Sequence, residues 1–318
     1  MKPPRLKARR ILHFIHNMMK QFSIFLVFLF FLSACAPAPR VVALTISTAT
    51  LPAPTVTPTS VPPSPTATPI PCNPLAADFC IVTGHFVLQR PIQPPANDSV
   101  AETYRYASTA EGTREPHHGV EFINATGTPV YAAADGQIVF AGPDEEAVYS
   151  PRSDFYGNLI VIRHADNLFT LYAHLSALGV QAGQDVLAGQ KIGEVGSTGA
   201  AIGSHLHFEV RRGDVQDYFS TQNPELWLAL KADEGALAVS VKDARGMFQQ
   251  ARLTVQSGGR NYFVETYSAD FPPAEENAAL GGLKSGRYRI TFYFEGEFFE
   301  RWVDVEADRL TQVWFVVK

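Results

Sequence analysis

Leu159-Ile160-Val161-Ile162-Arg163-His164 and Leu168-Phe169-Thr170-Leu171-Tyr172-Ala173-His174 are two aliphatic and aromatic runs separated by Ala165-Asp166-Asn167. Two such runs around a short polar turn read as a β-hairpin. From about Cys80 to Leu230, similar runs rich in Val, Ile, Phe and Tyr alternate with turns containing Gly, Asn and Asp, so the middle of the chain is β. Val130–Ala134 and Gln137–Ala141 flank Asp135-Gly136, which predicts a second hairpin with a two-residue turn. A short helix is expected to close the region, with Asn223 as its cap, Pro224 in its first turn and Leu226, Trp227 and Leu230 as an apolar stripe.

Seven of the nine histidines lie in this β region. His117 and Glu121 stand four positions apart in His117-His118-Gly119-Val120-Glu121, and His205 and His207 bracket Leu206. Side chains two apart on a strand face the same way, so His205, His207 and Glu209 share one face. Two imidazoles and a carboxylate are a common catalytic zinc set, with a fourth position left for water. A solvated His-His pair or a lone core histidine is the bland reading of each piece. A His/Glu pair, a His-x-His strand and His174 in one β region together point to a zinc site and to a hydrolase.

These residues belong to a longer pattern. It comprises His117 to Glu121, Gly127-Thr128-Pro129-Val130, Ala133-Ala134-Asp135-Gly136 and Tyr156-Gly157-Asn158. It continues with Tyr172-Ala173-His174-Leu175, Gly189-Gln190-Lys191-Ile192-Gly193 and Gly203-Ser204-His205-Leu206-His207-Phe208. In kind and order these stretches resemble the lysostaphin/LytM-type zinc endopeptidases. The resemblance implies a compact β-sheet domain with a groove and one Zn2+ per chain, held by His117, Glu121 and His207. It implies His174 and His205 as the catalytic pair and a peptide bond of peptidoglycan as the substrate. Zinc in such a site lowers the pKa of water from about 15.7 toward about 7 and polarises the scissile carbonyl. The family pattern has Asp where this chain has Glu121, whose carboxylate lies one methylene farther from the backbone. Either the backbone retreats there or metal is held poorly, and His118 is the substitute if the register shifts.

Other residues carry less. Glu209 is positioned to orient a ligating imidazole or to serve as an ordinary structural carboxylate. His164 reads as structural, and His85 as packed or solvated. The glycines from Gly189 to Gly203 suit β-turns rather than a phosphate cradle, because no helix opening with Lys-Ser/Thr follows them.

Residues 236–318 alternate with period two. Tyr288, Ile290, Phe292 and Phe294 fall on one side, with Arg287, Arg289, Thr291 and Tyr293 on the other; Val313, Phe315 and Val317 repeat the pattern. A small antiparallel β-sandwich is expected, and Gly286-Arg287-Tyr288 resembles a strand entry of transthyretin-like or Ig-like domains. The segment lacks His and Cys, and Phe298, Phe299, Trp302 and Trp314 are expected to fill its core, with stacking on sugars or on a partner protein as the alternative.

The ends complete the organisation. Residues 1–34 hold six bases and no acid, leaving 20 bases against 31 acids in the remainder. A basic head on an acidic body suits export, and the formal charge of -5 argues against nucleic acid as a partner. The apolar run Phe22–Leu32 falls short of the about 20 residues a spanning helix needs. Followed by Leu32-Ser33-Ala34-Cys35, it resembles a lipoprotein signal in which Cys35 becomes lipid-modified; Met18 or Met19 is an alternative start. The alternative reading is a plain secretory signal or a short anchor. Residues 36–71 carry ten prolines among Thr, Ser, Ala and Val, a disordered spacer able to reach roughly 100 Å. Cys72 and Cys80 remain as an even pair, expected as a disulfide in an oxidising compartment, with two free thiols as the alternative.

The expected order is therefore a signal with its lipobox (1–35), a linker (36–71), a mainly β LytM-type peptidase domain (72–231) and a β-sandwich (232–318). The chain reads as a zinc-dependent endopeptidase of peptidoglycan peptides, exported and tethered to the membrane through Cys35. The alternative is a LytM-type wall-binding protein that regulates another hydrolase without cutting. A lipoyl- or biotinyl-type carrier is disfavoured, because Lys191 lacks the flanking residues of such turns.

Overall fold

The computed structural model describes residues 72–73, 77–269, 271 and 274–318. The readings placed on residues 1–71, including Cys35 and the proline-rich stretch, lie outside the described residues. In chain order the strands are β1 (Phe79–Val82), β2 (Val120–Ile123), β3 (Pro129–Tyr131), β4 (Gly136–Pro143), β5 (Asn158–Arg163) and β6 (Leu168–Ala173). They continue with β7 (Ala177–Leu178), β8 (Asp185–Val186), β9 (Lys191–Glu194), β10 (His205–Arg212) and β11 (Thr221–Gln222). The last seven are β12 (Glu234–Asp243), β13 (Arg252–Ser257), β14 (Arg260–Glu265), β15 (Ala278–Lys284), β16 (Gly286–Phe294), β17 (Glu297–Val305) and β18 (Leu310–Val317).

A seven-stranded sheet runs β11-β10-β6-β5-β4-β8, with β2 also pairing to β10. Its central strands are apolar at successive positions because both faces are covered. Ile160, Ile162 and Tyr172 enter one core with Leu206, Phe208 and Val210. Leu159, Val161, Leu171 and Ala173 enter a second core with Tyr156 and Phe169. Each fully buried aliphatic or Phe side chain contributes about 1.5–3 kcal/mol. The β5–β6 hairpin forms as the sequence predicts. Asp166 and Asn167 take left-handed φ values of 55° and 57°, a conformation these short polar residues tolerate.

The hairpin expected at Asp135-Gly136 does not form. β3 pairs with β9, whereas β4 pairs with β5 and β8. Backbone groups of the preceding segment are already engaged: Tyr131 N–H donates to Pro91 O (2.9 Å) and Ala132 N–H to Gln190 O (2.9 Å), while Ala133 O accepts from Gln89 N–H (2.7 Å). Gly136 lacks the left-handed φ of a primed turn, and a side chain there would collide with the Arg163 carbonyl. The expected helix shrinks to one 3-10 turn, Pro224–Leu226, although Asn223 Oδ1 does cap it by accepting from Glu225 N–H at 2.9 Å. Its extension is prevented because Leu88 N–H donates to Trp227 O and Ala229 N–H to Leu88 O.

Beyond Ala232 two four-stranded sheets, β1-β18-β12-β15 and β14-β13-β16-β17, share one apolar core. Tyr288, Ile290, Phe292, Val313, Phe315 and Val317 are buried in it, as alternation predicts. Pairing departs from the purely antiparallel expectation, since β12 and β18 run parallel. β1, from the stretch assigned to the peptidase domain, adds to this second pair of sheets by pairing with β18. Cys72 and Cys80 form a disulfide beside it, their Cα atoms 5.7 Å apart. Phe299 stacks on Phe292, but Phe298 and Trp302 are each 46% exposed and lie outside the core.

The two halves are in contact behind the histidine-bearing face. Glu265 Oε2 accepts from Thr109 N–H (2.7 Å) and Thr109 Oγ1 (2.9 Å). Buried Arg105 pairs with Glu225, whose Oε2 also accepts from Gly281 N–H at 3.0 Å. Phe271 packs on Tyr106 and stacks on His118 at 4.8 Å. Residues 104–118, which lead into β2, are thus held from behind by the second half of the chain.

Candidate metal centre

Strand β10 sets the site by simple alternation. Leu206, Phe208 and Val210 go to the core, and His205, His207, Glu209 and Arg211 project from the opposite face. β2 lies alongside with Glu121 directly opposite His207, and β6 on the other side pairs Ala173 with His207, so His174 follows at the strand end. Gly119 leaves room for the His207 ring to approach the backbone before β2. A Cβ at this position would stand 2.5 Å from Phe208 O and 2.9 Å from the ring's Nε2.

His117 Nε2 faces His207 Nδ1 at 3.1 Å. His117 Nδ1–H donates to the Tyr104 carbonyl at 2.9 Å, and the Tyr104 ring stacks on the imidazole at 4.0 Å. His207 Nε2–H donates to Glu209 Oε1 at 3.0 Å. Burial alone would raise the Glu209 pKa. The Arg211 guanidinium, with Nε 2.8 Å from Oε2, and hydrogen bonds from His207 and Tyr156 instead hold it down to about 2. Arg211 is itself fully buried, donating also to Tyr149 O and Val215 O at 2.8 Å. Glu121 Oε1 stands 3.9 Å from His117 Nε2 and 3.6 Å from His205 Nε2.

His174 occupies a left-handed backbone position, φ 62°, rare outside glycine. Its Nδ1–H donates to Thr198 O at 2.9 Å, and its ring lies 4.9 Å from that of His205 and 5.7 Å from that of His207. Burial, then the neighbouring His207 and His205, push its pKa down to about 3. Burial and His207 press His117 well below the ordinary value. Burial lowers His205 as well, against the pull of Glu121.

All five sequence-nominated residues meet around one groove of about 370 Å³. His118 turns to an aromatic cage of Tyr218, Phe219 and Phe271, with Nδ1 3.3 Å from Thr221 Oγ1, so it is no substitute for Glu121. His164 bridges Asp135 O (2.8 Å) and Thr170 Oγ1 (2.7 Å), and His85 packs on Trp227; neither joins the site. Tyr104, Tyr156 and Arg211 had no sequence-assigned role. Arg211 was legible as the fourth residue of the His205-His207-Glu209 face; Tyr104 had no such signal.

Two of the three nominated ligands, His117 and His207, are arranged as a cation would need. With Nδ1–H of His117 given to a carbonyl and Nε2–H of His207 given to an ionised carboxylate, the two remaining nitrogens turn lone pairs toward each other at 3.1 Å. A shared proton or a cation must lie between them. Nitrogens bound at about 2.0–2.1 Å to one tetrahedral zinc stand only slightly farther apart. Among the described residues no three such side chains are gathered tightly about one point, because Glu121 leans toward His205.

Residues 115–218 match the family model described as Peptidase family M23. The DD-carboxypeptidase/endopeptidase Mpg of Neisseria meningitidis serogroup B is 41% identical over 137 residues, covering 43% of this chain and 29% of that protein. The murein hydrolase activator NlpD of Escherichia coli is 37% identical over 117 residues, covering 37% of this chain and 27% of that one. The chain therefore spans less than a third of the length of either relative. Among solved structures, the catalytic domain of the M23 protein EnpA from Enterococcus faecalis matches at 28% identity and a TM-score of 0.35, covering 42% of this chain and 92% of that one. Motif order, the β architecture and the family match agree that this chain carries a peptidase family M23 domain.

Proposed function

We propose that the chain is a zinc-dependent endopeptidase of peptidoglycan peptides, with His117, Glu121 and His207 as metal ligands and His174 and His205 as catalytic bases. The observation that carries this reading is the facing pair of lone-pair nitrogens on His117 and His207, each fixed by a hydrogen bond on the far side of its ring. A zinc ion held there would supply Lewis-acid polarisation of the scissile carbonyl and acidification of water. His174 and His205 each give Nδ1 to a backbone carbonyl, leaving Nε2 for the groove. Both rings are neutral near pH 7, and it is the free Nε2 of each that would accept a proton from water and return it to the departing amine. The exported, lipid-anchored placement through Cys35 belongs to the same proposal.

The second reading, a non-cutting regulator, draws on the likeness to the murein hydrolase activator and on the lean of Glu121 away from His117. Metal analysis with a wall-digestion assay separates the two. The purified full-length chain is expected to hold about one zinc, to release peptides from peptidoglycan and to stop when a chelator is added. Zinc-loaded protein that binds wall and releases nothing would support the regulator.

A further inference from the structure

Two arginines line the groove without a carboxylate partner. Arg114 lies over the Tyr104 ring, its Cζ 4.8 Å from the centroid, and that ring stacks on His117. Arg152 lies over the Phe155 ring at 5.0 Å; Phe155 packs on Tyr156, which packs on His207. They come from separate loops, one before β2 and one between β4 and β5, and both side chains are exposed to the groove. Among the described residues neither guanidinium forms an ion pair or donates a hydrogen bond. Elsewhere Arg105, Arg211, Arg260 and Arg289 are each paired with a carboxylate. Of the carboxylates lining the groove, Glu121 leans to His205, and Glu115 is exposed beside Arg114.

We infer that Arg114 and Arg152 are specificity determinants that select peptides carrying free carboxylates near the scissile bond over neutral, glycine-like bridges. This rests on the peptidase reading above. A guanidinium offers a planar fork of donors matched to a carboxylate, and charge-assisted pairs of this kind are the strong ones. Stacking on a ring holds the fork in place without using its donors, at about 0.5–1 kcal/mol for an exposed pair. Arg114, one aromatic ring from His117, and Arg152, two rings from His207, would grip acidic groups at two points along a bound peptide, leaving the bond itself to the histidines.

The test compares two synthetic peptides of one sequence, one with free side-chain and terminal carboxylates and one fully amidated, using the zinc-loaded full-length chain. The readout is the ratio of kcat/KM for acid over amide, with calorimetric binding of the same two peptides in parallel. The parent is expected to favour the acid by about tenfold or more, R114Q and R152Q each to cut that ratio severalfold, and the double variant to bring it near one. A variant that only disturbs the fold lowers both rates and keeps the ratio. A parent ratio near one, or a ratio that survives in the double variant, overturns the inference. Should neither peptide be cut, the calorimetric ratio decides in the same way: loss of acid preference in the variants upholds recognition while the hydrolytic reading fails.

Discussion

Glu209 accepts a hydrogen bond from His207 on the ring nitrogen opposite the one that faces His117. The carboxylate therefore fixes which nitrogen of His207 is left to a metal, and Arg211 and Tyr156 fix the carboxylate in turn. Removing Glu209 breaks two things together. E209Q is expected to weaken zinc binding by about 10- to 100-fold, measured by competition with a chromogenic chelator. E209A should also destabilise the fold by about 3–5 kcal/mol in urea unfolding, because it strands the buried Arg211 charge. A paired replacement of Glu209 and Arg211 by Leu and Met is expected to recover much of the stability and none of the zinc affinity.

Gly119 sits under the His207 ring, where a methyl group has no room. G119A is expected to displace the ring and lower zinc content well below that of the parent, with the β-sheet circular dichroism retained. Unchanged zinc content in G119A would mean that the ring has freedom this packing denies it.

The roles proposed for His207 and His174 separate binding from catalysis. H207A is expected to lose both metal and wall-digesting activity. H174A is expected to keep metal and to lose activity by about 10²–10⁴-fold, the span usual for a positioned acid or base. If H174A digests wall as fast as the parent, its role has been misassigned.

Glu265 reaches from β14 to both the backbone and the hydroxyl of Thr109. That contact holds the loop whose Tyr104 carbonyl orients His117. E265A is expected to speed amide exchange across residues 104–118 and to raise KM for wall peptides, while exchange in β5 and β6 stays slow. This would make the second half of the chain a brace for the site.

His164 gives a stability effect with a definite sign. Burial lowers its pKa, against the hydrogen bond to the Asp135 carbonyl. Between that lowered value and about 6.5, the unfolded chain binds a proton that the folded chain refuses. Its contribution is therefore present above about pH 6.5 and lost as pH falls below it. Urea midpoints measured at pH 7 and pH 5 should differ less in H164Q than in the parent.

Much of this molecule could be read along the chain. Continuous apolar runs around a polar turn mark β5 and β6, which are covered on both faces, and period-two alternation marks β10, β16 and β18. That alternation put His205, His207 and Glu209 on one face, and it extends to Arg211. The motif order brought His117, Glu121 and His174 to that face. Two-residue turn chemistry misled at Asp135-Gly136, where the glycine is required by the nearby Arg163 carbonyl and the strands find partners elsewhere.

By itself the sequence nominated His117, Glu121, His174, His205 and His207 and set His205 and His207 on one face of a strand, since alternation and spacing are local properties of the backbone. Tertiary structure alone decided the rest: that Tyr104 orients His117 from thirteen residues away, that Glu225 and Glu265 tie the site to the second half, and that Arg114 and Arg152 line the groove with no ion pair among the described residues. Those relationships depend on which distant groups meet in space. Hydrogen bonding and burial select them only after the sheets have assembled, and no local pattern records them.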